Sequence, residues 1–165
     1  MPDYSSLLHQ ADIFFQISPS YLELISAICR EVRYRAGEQI FLEGAGSDDL
    51  YVILQGEVDI QVNPGLVSDQ PGVVLPPVAI ATLRRGQSFG EIALVDQGMR
   101  SATACAATNE TRLLVIPRKE LIQLCDLHPD LGYRLMRNLA ADLAMKIRNT
   151  DLLIREDLLF SEKRE

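Results

Sequence analysis

The sequence is poor in the residues that bind metals or form disulfide frameworks. Its 165 residues include three cysteines, an odd number with no CxxC spacing, and only two histidines, His9 and His128. A structural zinc site needs several cysteine or histidine ligands, and a disulfide framework needs cysteines in pairs. A metalloenzyme of the cupin type would need histidines and carboxylates on neighbouring strands, and no histidine lies between these two. We therefore expect no metal site, and we interpret Cys29, Cys105 and Cys125 as small apolar residues.

Long apolar runs are also missing. No uncharged apolar stretch approaches the roughly 18 residues that a membrane-spanning helix needs. Residues 1–4 lack the basic start and apolar core of a secretion signal. With 47% hydrophobic and 24% charged residues, the chain has the composition of an ordinary folded domain. We therefore expect a cytoplasmic protein with no membrane partner.

Positive charge is in deficit. The chain has 16 basic and 23 acidic residues, a net charge of −7, which is the wrong sign for a protein held to nucleic acid by phosphate contacts. Residues 129–165 carry seven charges of each sign, so the whole excess lies in residues 1–128. A small anion bound in that part must be held by a local arrangement of residues, because the overall field repels it.

The hydrophobic pattern predicts a β domain with helices at both ends. Ser18 and Pro19 open a predicted helix with a side-chain cap and proline in its first turn. Short runs of β-forming residues between glycine turns then predict an all-β barrel or jelly roll. The predicted strands are 32–35, 39–42, 50–54, 58–62, 78–83, 102–107 and 112–116. Residues 63–77 contain four prolines and predict a long exposed loop.

Two helices are predicted after the last strand, one over residues 118–125 and a long one from Pro129. The long helix repeats leucine or isoleucine on one face, at Leu131, Leu135, Leu139, Leu143 and Ile147. The first half of this stripe can be explained by packing on the barrel. The apolar residues that continue after it predict a homodimer through the C-terminal helix. We place the domain boundary at residue 128, with a β domain over 1–128 and the long helix and charged tail over 129–165.

Residues 89–103 combine groups that could bind a nucleotide. Gly90 allows a tight turn, and the residues after it favour one helical turn whose first amides point outward and attract an anion. Arg100 could bind a phosphate with two hydrogen bonds. Glu91 would repel a phosphate, but it could accept a hydrogen bond from a sugar hydroxyl of the same ligand. A phosphate together with a sugar indicates a nucleotide.

This stretch resembles the phosphate-binding cassette of cyclic nucleotide-binding domains, the family of the bacterial catabolite activator and the regulatory subunits of cyclic AMP-dependent protein kinase. The match lies in residues 89–91, 93–94 and 100–103, and the nine-residue step from Glu91 to Arg100 is one that the family uses. Residues 37–40, 43–44, 49–53 and 56–58 extend it, so that it covers roughly residues 18–160. The resemblance implies a mainly β fold with flanking α, an eight-stranded β-roll (jelly-roll-like, a double-stranded β-helix) with N-terminal helices and a long C-terminal helix.

The resemblance also implies a set of ligand contacts. Glu91 would accept a hydrogen bond from the ribose 2′-hydroxyl, and Arg100 would bind the phosphate. Backbone contacts would come from Gly90, Ile92 and Ala93. Ser101, followed by Ala102, could reach a phosphate oxygen or the base edge, and serine rather than threonine at this place favours cyclic AMP over cyclic GMP. The pocket walls would come from Ile60, Ile80 and Phe89.

The base side of the site departs from the family. The C-terminal helix of the catabolite activator offers hydroxyl side chains to the adenine across a dimer interface. Counting from Pro129 without gaps puts Lys146 and Ile147 at that place, with Asn149 and Thr150 as the nearest polar substitutes. Lys146, Asn149 and Thr150 are therefore our base-side candidates.

We predict a non-catalytic cyclic nucleotide sensor or regulatory module that acts through an effector protein. The catabolite activator continues into a helix-turn-helix domain, whereas this sequence stops at Glu165, so we expect a stand-alone form without DNA binding. The ligand would be cyclic AMP or cyclic GMP, with no cofactor, metal or catalytic residue. The alternative is a dimerising scaffold that keeps the fold without a ligand, with Arg100 paired to Glu91.

Overall fold

Eight strands carry the architecture of the part of the chain that the computed structural model describes, residues 2–46, 48–67, 72, 74–96 and 98–162. The strands are β1 (Arg30–Tyr34), β2 (Gln39–Phe41), β3 (Asp49–Gln55), β4 (Val58–Val62), β5 (Val78–Leu83), β6 (Ser88–Phe89), β7 (Thr103–Ala106) and β8 (Thr111–Pro117). They pair antiparallel in two four-stranded sheets, β1-β8-β3-β6 and β2-β7-β4-β5. The predicted mainly β fold is confirmed. Only the two-residue strand β6 has no counterpart among the predicted strands.

Strand β3 separates two hydrophobic clusters because its side chains alternate between the faces of the sheet. Leu50, Val52 and Leu54 belong to a cluster with the helices. Tyr51 and Ile53 point the other way, into a cluster between the two sheets. Strand β8 alternates in the same manner. Both central strands are therefore buried on both faces, which explains their continuous apolar sequences.

Five α-helices lie among the described residues, α1 (Ser5–Leu8), α2 (Pro19–Ile28), α3 (Ile92–Val95), α4 (Arg118–Leu127) and α5 (Pro129–Glu162), and a 3-10 helix, Asp12–Phe14, follows α1. Helix α2 begins at the predicted proline, but the predicted side-chain cap is wrong. The Ser18 hydroxyl makes no capping hydrogen bond and lies 3.2 Å from the Ser20 hydroxyl. The Ser18 carbonyl instead accepts hydrogen bonds from the amides of Tyr21 and Leu22.

Helix α5 has 34 residues and is therefore about 50 Å long. Its predicted apolar stripe is buried at Leu131, Leu135 and Leu139 and partly buried at Leu143. At Ile147 the side chain is 62% exposed, so packing against the core ends before this residue. None of the helices in the described ranges has the length and apolar character needed to cross a membrane.

The proline-rich segment between β4 and β5 begins with one 3-10 turn, Pro64–Val67. Residues 74–77 are exposed and have no regular structure, as predicted for a loop. Residues 68–71 and 73 of the predicted loop lie outside the described part of the chain.

Candidate functional site

A cavity of about 420 Å³ opens between β4, β5, the segment after β6 and the middle of α5. We call this cavity the cup. Its apolar lining comes mainly from both sheets and from the segment 89–102, and its polar lining includes one arginine, one lysine and one glutamate. The lining residues are Phe41, Ile60, Val62, Ile80, Ala81, Leu83, Phe89, Gly90, Glu91, Ile92, Ala93, Gly98, Met99, Arg100, Ser101, Ala102, Lys146 and Thr150. This volume and mixed lining are typical of a site for a small organic ligand.

The turn after β6 brings the backbone close to Arg100. Gly90 has a φ of +77°, which residues with a side chain rarely adopt. A Cβ atom here would lie 2.6 Å from Nη1 of Arg100 and 2.9 Å from the carbonyl oxygen of Asp49. Glycine is therefore required both by the backbone angle and by the guanidinium packed against it.

Two backbone amides of the single turn α3 donate to carbonyls at the start of the same turn. The amide of Ala93 donates to the Gly90 carbonyl at 3.3 Å, and the amide of Leu94 donates to the Glu91 carbonyl at 3.0 Å. The sequence predicts outward-pointing amides in this turn, including that of Ala93. The Ala93 amide is instead engaged inside the turn.

Arg100 is the buried cation of the cup. The residue is only 7% exposed, and its guanidinium carbon lies 4.1 Å from the centre of the Phe41 ring. Nη1 donates to the Gly90 carbonyl at 3.2 Å, and Nη2 donates to the Asp49 carbonyl at 2.8 Å. Burial lowers the pKa of Arg100, while Tyr51 and nearby carboxylates act in the opposite direction. Arginine stays ionised under these conditions, so the wall of the cup carries a fixed positive charge.

Glu91 is 5% exposed and forms its ion pair with Lys146 of α5. Lys146 Nζ donates to Glu91 Oε1 at 2.7 Å and to the Ser88 carbonyl at 2.9 Å, and it lies 2.8 Å from Oδ2 of Asp142. Burial lowers the pKa of Lys146, but the carboxylates of Glu91 and Asp142 outweigh burial, and the net shift is upward. Lys146 is therefore an ammonium at neutral pH.

Most of the predicted site residues meet at the cup. The cassette residues Gly90, Glu91, Ile92, Ala93, Arg100, Ser101 and Ala102 all line it, as do the predicted wall residues Ile60, Ile80 and Phe89. Lys146 and Thr150 line it from α5, with the Thr150 hydroxyl donating back to the Lys146 carbonyl at 3.0 Å. Asn149 is exposed on α5 and does not line the cup.

Sequence reasoning missed two residues that matter to the geometry. Phe41, at the end of β2, carries the Arg100 guanidinium on its ring and completes an aromatic group with Tyr51 and Phe89. Asp142 holds the Lys146 ammonium from the same helix, four residues earlier. A carboxylate four residues before a lysine on a predicted helix is the signal that could have revealed the second residue.

The part of the chain that the structure describes contains no group of three or more histidine, cysteine or acidic residues arranged to hold a metal ion. The polar groups that converge on the cup are two donors, a guanidinium and an ammonium, and one acceptor, a carboxylate. These groups can bind a small anion that also carries hydroxyl groups.

Comparisons with known proteins agree with this chemistry. The family model for the cyclic nucleotide-binding domain matches residues 31–128. The cyclic AMP receptor protein of Thermus thermophilus is 31% identical over 151 residues, which are 92% of this chain and 63% of that protein. Glutaminase 1 of Bradyrhizobium diazoefficiens is 32% identical over 131 residues, 79% of this chain and 19% of the enzyme. A crystal structure of a cyclic nucleotide-binding domain from Methylobacillus flagellatus superposes with a TM-score of 0.76 at 22% identity, covering 94% of this chain and 87% of that one.

Proposed function

Because the chain belongs to the family of cyclic nucleotide-binding domains, we propose that it is a non-catalytic sensor that binds a cyclic nucleotide in the cup and signals to an effector protein. The observation that carries the proposal is the buried guanidinium of Arg100 on the wall of the cup, beside the buried carboxylate of Glu91. A cation and a hydroxyl acceptor in one small cavity match a phosphate and a sugar in one small ligand.

In this proposal the cyclic phosphate binds Arg100, and the ribose 2′-hydroxyl donates to Glu91. The phosphate diester carries one negative charge, and charge-assisted hydrogen bonds of this kind contribute about 1.5 to 3 kcal/mol each. The backbone of Gly90 and Ile92, at the start of the α3 turn, would add contacts to the phosphate, while the Ala93 amide already donates to the Gly90 carbonyl. The local cation offsets the repulsion expected from the net charge of −7.

The base would lie against the apolar walls formed by Ile60 and Ile80, with Ser101 at its edge. We propose cyclic AMP as the preferred ligand. The support is the serine at position 101 and the similarity to a protein from Thermus thermophilus that is named for cyclic AMP.

We further propose that the second half of α5 forms a homodimer and that the effector is a protein rather than DNA or a membrane. From Met145 onward α5 exposes eight large apolar side chains. These are Met145, Ile147, Leu152, Leu153, Ile154, Leu158, Leu159 and Phe160. An apolar helix surface of this extent is typical of an interaction site.

One observation favours the alternative of a scaffold without a ligand. Glu91, which the sensor needs for the ribose, already has an ion-pair partner in Lys146. Thermal unfolding separates the two functions. A ligand at about 100 times its dissociation constant stabilises the folded state by about 2.7 kcal/mol and raises the melting temperature, whereas a scaffold shows no shift with any cyclic nucleotide.

The decisive test is calorimetric titration with cyclic AMP and cyclic GMP of the wild type, Arg100→Ala and Arg35→Ala. Arg35 is exposed and is not among the residues that line the cup, so it controls for the loss of one positive charge. We expect Arg100→Ala to weaken binding by about 2 to 5 kcal/mol, because the phosphate loses its buried charge partner, and Arg35→Ala to bind as the wild type. A wild type without binding heat, or an Arg100→Ala variant that binds normally, would refute the sensor.

A further inference from the structure

Lys146 joins α5 to the wall of the cup through two acceptors, and a carboxylate of α5 itself lies beside its ammonium. The Ser88 carbonyl belongs to β6, Glu91 belongs to the turn that follows, and Asp142 lies one helical turn earlier on α5. An ammonium has three protons to donate. Lys146 donates to the Ser88 carbonyl and to Glu91, and the carboxylate of Asp142 lies within ion-pair distance of the same ammonium. The hydrogen bonds that Lys146 makes to other elements therefore go to the wall of the cup.

The partner that depends most on this lysine is Glu91. A carboxylate that is 5% exposed is strongly destabilised when the ammonium paired with it is removed. Lys146 binds Oε1, so a hydroxyl donor in the cup would take Oε2. The ion pair thus fixes the rotation of the carboxylate and cancels its charge, which would otherwise repel an anion bound at Arg100.

The ion pair also has a mechanical consequence. Packing of α5 against the hydrophobic core ends near Leu143. Lys146 is the next residue along the helix with described hydrogen bonds to another element, through Ser88 and Glu91. The middle of α5 is therefore held to the cup by polar contacts with the residues proposed to bind the ligand.

We propose that Lys146 is a positioning residue that orients and neutralises Glu91 for a sugar hydroxyl and holds the middle of α5 against the wall of the cup. The part of this inference that concerns the ligand rests on the proposed function. The part that concerns α5 applies to the protein without ligand.

The first experiment measures amide hydrogen exchange in the ligand-free wild type, Lys146→Met and Lys119→Met. Methionine keeps the length of the apolar stem, and Lys119 is an exposed helical lysine that controls for the charge change. We expect at least fivefold faster exchange in peptides covering residues 143–152 of Lys146→Met, and no change in Lys119→Met. Equal exchange in all three proteins would overturn the proposal that Lys146 holds α5.

The second experiment titrates the same proteins with cyclic AMP and its 2′-deoxy analogue, and adds Lys146→Arg. We expect Lys146→Met to lose at least tenfold in cyclic AMP affinity and most of its preference for the ribose ligand, and Lys146→Arg to recover part of that preference. A general structural defect would weaken both ligands equally and leave the preference intact, and that result would refute positioning. If the wild type binds neither ligand, the proposed function fails, and the exchange experiment still decides whether Lys146 holds α5.

Discussion

Gly90 leaves the space that the Arg100 guanidinium occupies. Its φ of +77° strains any residue with a side chain, and an added Cβ would lie 2.6 Å from Nη1 of Arg100. We predict that Gly90→Ala lowers the free energy of unfolding by about 1 to 3 kcal/mol and also weakens nucleotide binding, because the guanidinium is displaced. Urea unfolding and calorimetric titration measure the two effects.

Gly37 provides the matched control for this prediction. It has a φ of +87°, but a Cβ there would meet no atom within 4 Å. Gly37→Ala should therefore show the backbone strain without a change in nucleotide affinity. If Gly90→Ala and Gly37→Ala bind nucleotide equally well, the close approach of Gly90 to Arg100 has no functional importance.

At the residue level, the sequence predicts which side chains line the cup better than it predicts the hydrogen bonds between them. Glu91 and Arg100 are found because they lie within one short motif, and both line the cup. Lys146 is predicted as a contact to the base, and the structure places it in the lining of the cup, but its hydrogen bonds to Ser88 and Glu91 are not predicted. It lies 55 residues from Glu91 along the chain, and a contact of that range follows from tertiary packing that a local pattern does not contain.

At the level of elements, an ion pair links two neighbouring strands. Arg112 of β8 donates to both carboxylate oxygens of Glu31 on β1, at 2.7 and 3.0 Å. The hydrogen bonds from Arg112 hold the pKa of Glu31 below its usual range. A carboxyl whose pKa is lowered by folding stabilises the native state above its unfolded pKa, and this contribution is lost as the pH falls through the folded pKa.

We therefore predict that Arg112→Met lowers the free energy of unfolding by about 1 kcal/mol at pH 7, since the pair is partly exposed. The difference from the wild type should shrink as the pH falls below the usual pKa of glutamate, because Glu31 becomes protonated in both states. Urea unfolding at a series of pH values between neutral and acidic measures this. A difference that stays constant with pH would show that Arg112 acts through packing alone.

The helices differ in how far their sequences determine them. Helix α5 has a proline at its start and a regular apolar stripe, so its beginning at Pro129 follows from local pattern. The resemblance implies N-terminal helices, but the local pattern does not place the first of them, because α1 has four residues and the following 3-10 helix has three. Such short helices are unstable alone and depend on tertiary contacts. Here Leu8, Ile13 and Phe14 are buried, and Asn138 of α5 donates to the Ile13 carbonyl.

At the level of the whole molecule, the exposed half of α5 determines the expected assembly. Leu152 and Leu159 are seven residues apart, so they lie on one face of the helix. We predict a dimer in sedimentation at micromolar concentration and a monomer for the double variant Leu152→Glu with Leu159→Glu, because buried carboxylates oppose an apolar interface.

Arg35→Glu is the control for this experiment, since it makes the same change in net charge at an exposed residue directly after β1. It should sediment as the wild type does. A wild type that remains monomeric, or a double variant that still dimerises, would contradict the proposed interface.

The sequence predicts that α5 has more apolar residues than the core needs, but only the structure identifies Leu143 as the last residue of α5 that packs on the core.

Because β3 lies between the two hydrophobic clusters, the stability of each cluster depends on the other. Neither face of this strand meets water, since Leu50 and Val52 face the helices while Tyr51 and Ile53 face the inter-sheet cluster. Loss of packing on either side would expose a face of the same strand and remove support from the other side. The ligand cavity and the helical layer should consequently unfold in one cooperative step, with no intermediate in which only one of them is folded.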